Sequence, residues 1–307
     1  MHLRNKHRTR YDLNALSTTY PELQEFIRPN NYGDDSIDFF DPAAVKALNK
    51  SLILHYYGIK NWDIPINFIS PAIPDRADYV HHLADILYSK DEKRIETKNN
   101  KITCLDIGVG ANCIYPIIGA AEYGWNFIGS DIDTNAIKSA KDIVEANEVL
   151  NGKVQIRLQK DPTIIFEGIL KENEKVDVVI CNPPFHTSFS DAKAVTAKKL
   201  KNLDSEIIDK AIKNFGGKST ELWCHGGEVK FIHDMIYQSQ NYADSVLRFS
   251  TLVNKQANVP QAELSLKKFG ALEVQVKAIG QGNKRSRIIS WTFQNKKKQQ
   301  EWAEARW

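Results

Sequence analysis

The sequence of 307 residues lacks several things that would assign it quickly. Its four cysteines (Cys104, Cys113, Cys181, Cys224) form no C-x-x-C pair, and no histidine stands near them at metal-ligand spacing. That pattern speaks against a disulfide framework or a zinc site, and no metal is expected. Cys104 and Cys181 fall inside apolar strand patterns and read as buried reduced thiols. No apolar run approaches the roughly 18 residues of a membrane span, and "MHLRNKHRTRYDL" has no apolar core of a signal peptide. A soluble, cytoplasmic protein without membrane association is therefore expected. Internal repeats are missing, and the net charge of +3 is too small to name a partner. With 42% hydrophobic and 26% charged residues, the chain can bury one large core or one core plus an appended unit.

Two patterns of secondary structure follow each other. "DPAAVKALNKSLILHYYG" predicts a helix capped by Asp41, with Pro42 in its first turn and Val45, Leu48, Leu52 and Tyr56 on one stripe. "DRADYVHHLADILYS" predicts a second, with Tyr79, Leu83, Ile86 and Leu87 on one side. The charged stretch 89–101 then reads as a linker. Beyond it, strands at 102–107, 126–130, 153–158, 176–181, 245–252, 271–278 and 286–293 alternate with helices from 113, at 134–147, 228–240 and 260–269. Alternation of this kind predicts an α/β fold, a Rossmann-like sheet with helices on both faces. The expected organisation is a mostly helical cap over 1–95, a sheet domain over 96–295 and a charged, solvated tail over 296–307.

Ligands in such sheets bind at the carboxyl ends of the strands. The first strand ends in "CLDIGVGANCIYP", where Gly108 and Gly110 allow a sharp turn and close backbone approach. Cys113 holds the place of the third glycine of the dinucleotide fingerprint, so the loop is not shaped for a pyrophosphate. Asp131 ends the next strand, where a carboxylate grips ribose hydroxyls. A helix cap would also use an aspartate there, although Asp133 is better placed for that. A nucleoside without a diphosphate fits this turn, and S-adenosylmethionine is the expected cofactor. Asp106, Gly108, Gly110 and Asp131 are its candidate contacts.

The fourth strand delivers "NPPF", Asn182-Pro183-Pro184-Phe185. Asn-Pro is a common strand stop, so the tetrapeptide alone does not decide. Its chemical reading is a holder for a planar amino group. The Asn182 amide carbonyl and the Pro183 backbone carbonyl accept the two N–H groups, and Phe185 lies on the face of a base. Strands one and four are neighbours in doubly wound sheets, so donor and amino group would share a crevice. Cationic stretches surround these motifs: Arg4, Lys6, Arg8 and Arg10 in an arm expected to have no core to pack against, Lys198, Lys199 and Lys201 after the NPPF motif, and Lys284, Arg285 and Arg287 near the last strand. Each alone reads as solvated surface, and together they suggest a path for phosphates.

"DRADYVHHLADIL", "LDIGVGANCIYPIIGAAEYGW", "CNPPF" and "GGEVKFI" together resemble the ribosomal RNA large subunit methyltransferase F family over roughly residues 1–295. The resemblance implies N6-methylation of adenine 1618 of 23S rRNA and a kinship to eukaryotic N6-adenosine methyltransferase-like proteins. It implies that Gly108 contacts the methionine end of the donor, Asp131 its ribose and Arg76 its carboxylate. Thr163 lies near the place of a donor-contacting threonine in the eukaryotic proteins, and "KDPT" carries an extra residue there. The implied partner is 23S rRNA or a large-subunit assembly intermediate, and the protein is expected to be a monomer. Two other classes remain open: a protein-glutamine N5 methyltransferase, which shares the NPP motif, and a non-catalytic RNA-binding assembly factor.

Overall fold

The computed structural model describes residues 1–65, 68–88, 101–186, 223–281 and 284–307. A short helix α1 (Leu13–Thr19) and a two-stranded sheet, β1 (Ile27–Pro29) against β2 (Asp35–Ile37), precede two longer helices, α2 (Pro42–Tyr57) and α3 (Ile73–Leu87). The sheet strands are β3 (Thr103–Ile107), β4 (Asn126–Asp131), β5 (Val154–Leu158), β6 (Val176–Cys181), β7 (Val246–Val253), β8 (Glu273–Gln281) and β9 (Lys284–Thr292). Helices α4 (Ile114–Tyr123), α5 (Thr134–Glu145), α6 (Gly227–Ser239), α7 (Val259–Lys268) and α8 (Lys296–Arg306) accompany them, with three short 3-10 turns at Pro21–Phe26, Gln240–Tyr242 and Gln256–Asn258.

The seven strands run in the order β5-β4-β3-β6-β7-β9-β8. The first five are parallel, and β9 is antiparallel to both β7 and β8. Strands β3 and β6 are adjacent, as the Rossmann-like reading requires. All six residues of β6, "VDVVIC", are buried, the near-continuous apolar run of a strand covered on both faces. One core lies on the side of α2, α3 and α4, with Trp62, Tyr79, Ile117, Trp125 and Phe127 inside it. The other lies under α6 and α7, around Phe166, Phe249 and Trp291. The first core is continuous from residues 16–88 into the sheet, so the cap helices and the sheet share one interior.

Local sequence explains the helix ends. The Asp41 carboxylate accepts the Ala43 N–H at 2.9 Å, Pro42 fits the first turn, and Gly58 closes α2 at φ 67°. Asp133 accepts from Asn135 and Ala136 at the start of α5. The buried stripe of α2 runs through Ala44, Leu48 and Leu52 to Tyr57, with Val45 and Tyr56 only half-buried, about one residue from the expected face.

Two expectations fail. Helix α3 begins at Ile73 and is buried nearly all round, including Asp78, His81 and His82, because the basic arm docks on its outer side. The His2 amide donates to Asp78, His2 Nε2 lies 2.9 Å from Asp85 Oδ2, and Asn5 and His7 are buried. Arg4 reaches Asp85 at 2.7 Å and the Tyr123 hydroxyl at 3.0 Å. The arm therefore packs against a core. The second failure is the tail. In place of a solvated tail, the far end of α8 and the Trp307 that follows it close on Asp177, a carboxylate with no exposure in β6. Trp302 Nε1 (2.7 Å), Arg306 Nε (2.8 Å) and Nη2 (2.9 Å), Trp307 Nε1 (3.0 Å) and the Thr103 amide (2.7 Å) all donate to it.

Candidate active site

The turn after β3 is shaped by its glycines. Gly108 (φ 77°) and Gly110 (φ 64°) both sit in the left-handed region. The amides of Gly108 and Val109 each donate to the Ser130 carbonyl at 2.9 Å, and Gly110 N–H donates to Asp131 Oδ2 at 3.0 Å. A Cβ built on Gly108 would meet nothing within 4 Å, so space for a ligand lies directly over this backbone. Cys113, at the third-glycine place, is itself left-handed at φ 54°, a conformation costly for a side-chain-bearing residue.

Three ionisable groups, Asp131, Asp106 and Arg76, lie about the turn. Asp131 is 8% exposed, and its Oδ1 accepts the Asp133 N–H at 2.9 Å. These two backbone bonds fix the carboxylate and leave lone pairs for ribose hydroxyls. Burial raises its pKa, partly offset by those bonds. Asp106 is fully buried, and neither of its oxygens finds a hydrogen-bond partner among the described residues. Burial pushes this carboxyl well above the ordinary range, the Asp131 charge adds to that, and Arg76 opposes it. Arg76 stands on α3, half-buried, its guanidinium 6.0 Å from the centroid of the Tyr115 ring. An acid without a partner beside an arginine suits the ammonium and carboxylate of an amino-acid group. The residues present thus fit S-adenosylmethionine: Asp131 for ribose, Asp106 and Arg76 for the methionine end.

The register of β3 and β6 pairs Ile107 with Cys181, so Gly108 and Asn182 leave the sheet side by side, about 4.8 Å apart in strand spacing. Asn182 Oδ1 is buried and has no partner among the described residues. An unbonded buried amide oxygen costs roughly 1–3 kcal/mol, which an incoming N–H donor would recover. Pro183 is buried, and Pro184 and Phe185 are half-buried beyond it. Tyr79 of α3 bonds Ser250 Oγ at 2.8 Å, and that hydroxyl donates to the Val179 carbonyl at 2.6 Å. This link ties the helix bearing Arg76 to the strand bearing Asn182. The sequence marked Tyr79 only as an apolar-face residue.

Thr163 is exposed on the loop after β5, its amide and hydroxyl both bonded to Asp161 Oδ1 (2.8 and 2.7 Å). That loop follows Gln159, whose amide donates to the Asp131 carbonyl at 2.8 Å. The cationic candidates divide. Lys6 pairs with Glu122 (2.6 Å), Arg10 with Asp34 (2.9 Å), and Arg8 donates to the Leu3 carbonyl (2.9 Å). Arg4 and Lys6 thus serve docking contacts, Arg10 pairs at the surface and Arg8 bonds within the arm, where an arm without a core to pack against was expected. Arg287 is the fourth residue of β9, opposite Val253, at the same end of the sheet as Asn182. Lys198, Lys199 and Lys201, and the side chains of Lys284 and Arg285, lie outside the described residues. His2, His82 and Asp85 bring ligand-type atoms within 4.8 Å of one another. His2 Nδ1 accepts the Arg4 N–H at 3.1 Å, which leaves Nε2 as the donor to Asp85, so this group acts as a hydrogen-bond network for the arm.

A sequence model of the family described as RNA methyltransferase matches residues 1–295. The chain belongs to this RNA methyltransferase family. It is 52% identical to "Ribosomal RNA large subunit methyltransferase F" of Cytophaga hutchinsonii, with 100% of this chain and 95% of that protein covered. The protein of the same name from Serratia proteamaculans is 48% identical over 100% and 91%. Among solved structures, the human METTL16 catalytic domain in complex with the MAT2A 3′UTR hairpin 6 superimposes with TM-score 0.80 at 26% identity, covering 96% of this chain and 98% of that one. The N-terminal domain of human METTL16 in complex with SAH gives TM-score 0.75 at 26% identity, covering 96% and 99%. This member of the family is an S-adenosylmethionine-dependent RNA methyltransferase. None of its described helices is long and apolar enough to cross a membrane.

Proposed function

We propose that the chain methylates N6 of one adenine of 23S rRNA, the adenine at position 1618. The observation that carries this reading is the buried Asn182 Oδ1, without a partner among the described residues, beside the Gly108 turn. An exocyclic amine gives its lone pair to the ring and is a poor nucleophile. Asn182 Oδ1 and the Pro183 carbonyl accept its two hydrogens, favour a pyramidal nitrogen and aim the lone pair toward the donor side of the crevice. S-adenosylmethionine, when bound, supplies an electrophilic methyl group. Asp131, Asp106 and Arg76 fix the two ends of that molecule in the orientation the nitrogen needs. After transfer the nitrogen loses its proton to water. Phe185 stacks on the base, a contact worth about 1–3 kcal/mol against the cost of unstacking it.

The names of the bacterial relatives support ribosomal RNA as the substrate, and the METTL16 complex with an RNA hairpin supports a structured one. Either free 23S rRNA or a large-subunit assembly intermediate presents such a base, and the protein acts as a cytoplasmic monomer without a metal. The test is transfer of labelled methyl groups to rRNA from a strain lacking the enzyme, followed by mapping of the modified nucleotide. N6-methyladenosine at the single expected position is the expected result. Label in a protein, or at another base position, would overturn the reading.

A further inference from the structure

The sequence stretch Gly226-Gly227-Glu228 acts at a distance from its own helix. Both glycines are left-handed, φ 78° and 63°, and a Cβ on Gly226 would lie 2.6 Å from Lys230 Cβ. This turn carries Glu228, 3% exposed, into the protein. Its Oε1 accepts the Asn254 N–H at 2.8 Å and Asn254 Nδ2 at 3.0 Å. Its Oε2 accepts the Lys255 N–H at 3.3 Å and Asn258 Nδ2 at 2.6 Å. All four donors come from the turn that follows β7. A carboxylate that merely capped α6 would take that helix's own amides.

The turn it holds borders the reactive motif. β6 and β7 are parallel with Val178 opposite Arg248, so Asn182–Phe185 and the turn after β7 both leave the sheet at its carboxyl end, from neighbouring strands. Neighbouring strands are about 4.8 Å apart. The turn is also braced from its other side: Ser286 Oγ donates to Asn254 Oδ1 at 2.9 Å, and Arg287 Nη2 donates to Gln256 Oε1 at 2.7 Å. Lys255 stands exposed at its crest.

We propose that Glu228 is a positioning residue for the RNA. By fixing residues 254–258 it holds the Lys255 ammonium at the rim of the crevice, against a phosphate adjoining the target nucleotide. The inference rests on Asn182–Phe185 being the holder of the target base. A phosphate contact there sets the register of the strand while the pocket reads the base.

The test measures equilibrium binding of the rRNA substrate across a salt series, alongside steady-state kinetics, for the full chain and its Lys255→Ala, Glu228→Gln and double variants. Lys255→Ala is expected to raise KM for RNA about five- to tenfold with kcat within twofold. Its plot of log affinity against log salt should be shallower by about 0.7–0.9, one phosphate contact. Glu228→Gln turns an N–H₂ toward two of the four donors and should give the same RNA phenotype with donor affinity unchanged. Lys255→Ala should then add nothing in the Glu228→Gln background, and Lys255→Arg should restore the slope. An unchanged slope in Lys255→Ala overturns the proposal, whether or not the Glu228 variants fold. Additive effects of the two substitutions overturn the role of Glu228. Binding is read without methyl transfer, so failure of the Asn182 reading shows separately, as full turnover in Asn182→Ala.

Discussion

Replacing Asp177 by asparagine removes one acceptor from the most heavily bonded carboxylate among the described residues. Asp177 has no exposure and takes five donors from Thr103, Trp302, Arg306 and Trp307, at 2.7 to 3.0 Å. An amide of the same shape keeps one oxygen. Because Arg306 donates to both oxygens, the N–H₂ must face one of its N–H groups, together with either the Thr103 amide or the two indole N–H groups. The Arg306 side chain, 26% exposed, then lacks its counter-charge. Breaking a buried pair from one side costs about 3–5 kcal/mol, and the partial exposure of Arg306 places the expectation near the lower end, about 3 kcal/mol. Urea unfolding should show a lower midpoint with an unchanged slope. Donor affinity of the folded fraction should stay the same, because Asp177 stands at the amino end of β6 and the crevice at the other. A loss below about 1 kcal/mol would refute the argument that α8 is held by this carboxylate, as would a selective loss of donor binding.

Three further outcomes follow from the site and the cap. Asn182→Ala should lower kcat by about 10²–10³-fold, the usual cost of losing one preorganised hydrogen-bonding group, with donor affinity within a few fold by calorimetry; a comparable loss of donor binding would remove Asn182 from the target-amine role. Asp131→Ala should cost about 1.5–3 kcal/mol of donor affinity, and Arg76→Ala should raise the donor Kd tenfold or more with poor rescue by lysine, whereas wild-type binding in both would mean that the crevice is misplaced. The third outcome concerns acid stability. Burial lowers His7 to about 4, His81 to about 3 and His82 to about 4, helped at His7 by Lys6, so all three stay neutral in the fold. In the unfolded chain they bind protons as pH falls through about 6.5; stability is therefore complete above that value and lost on the way down to about 4 for His7 and His82 and about 3 for His81, by up to about 4 kcal/mol per pH unit, and a melting temperature flat from pH 7 to 5 would contradict it.

Much of this was legible in the residues. The strands from β3 to β7 fall within one residue of the expected limits at either end, because buried parallel strands write themselves as apolar runs between glycine and polar turns. The glycine turn, Asp131 and Asn182 also met as expected, since the order of parallel strands fixes which strand ends are neighbours. The misses share one cause. The arm, α8 and Glu228 hold their places through polar side chains whose partners are far away in sequence, 81 positions for Arg4 and Asp85 and 129 for Arg306 and Asp177. Local composition shows only charge there and reads as solvent. The signals existed: Asp177 breaks an otherwise apolar strand, and Trp302, Arg306 and Trp307 share one side of a helix. Periodicity tells which side a residue faces. It does not tell what waits there.

The sealing of one interior by both the arm and α8 bears on how the chain reaches its fold. Residues 2–10 settle on α3 and α4, while residues 302–307 settle on the floor of β3 and β6. Tyr79 reaches Ser250 across 171 positions. Contacts that join such distant segments reward the chain only after long loops have closed, so assembly should be slow for a protein of this size. Until α8 arrives, Asp177 in the central strand has only the Thr103 amide to answer it, and the sheet there stays open to water. Refolding should therefore pass through a species with the strands gathered and both extremities loose.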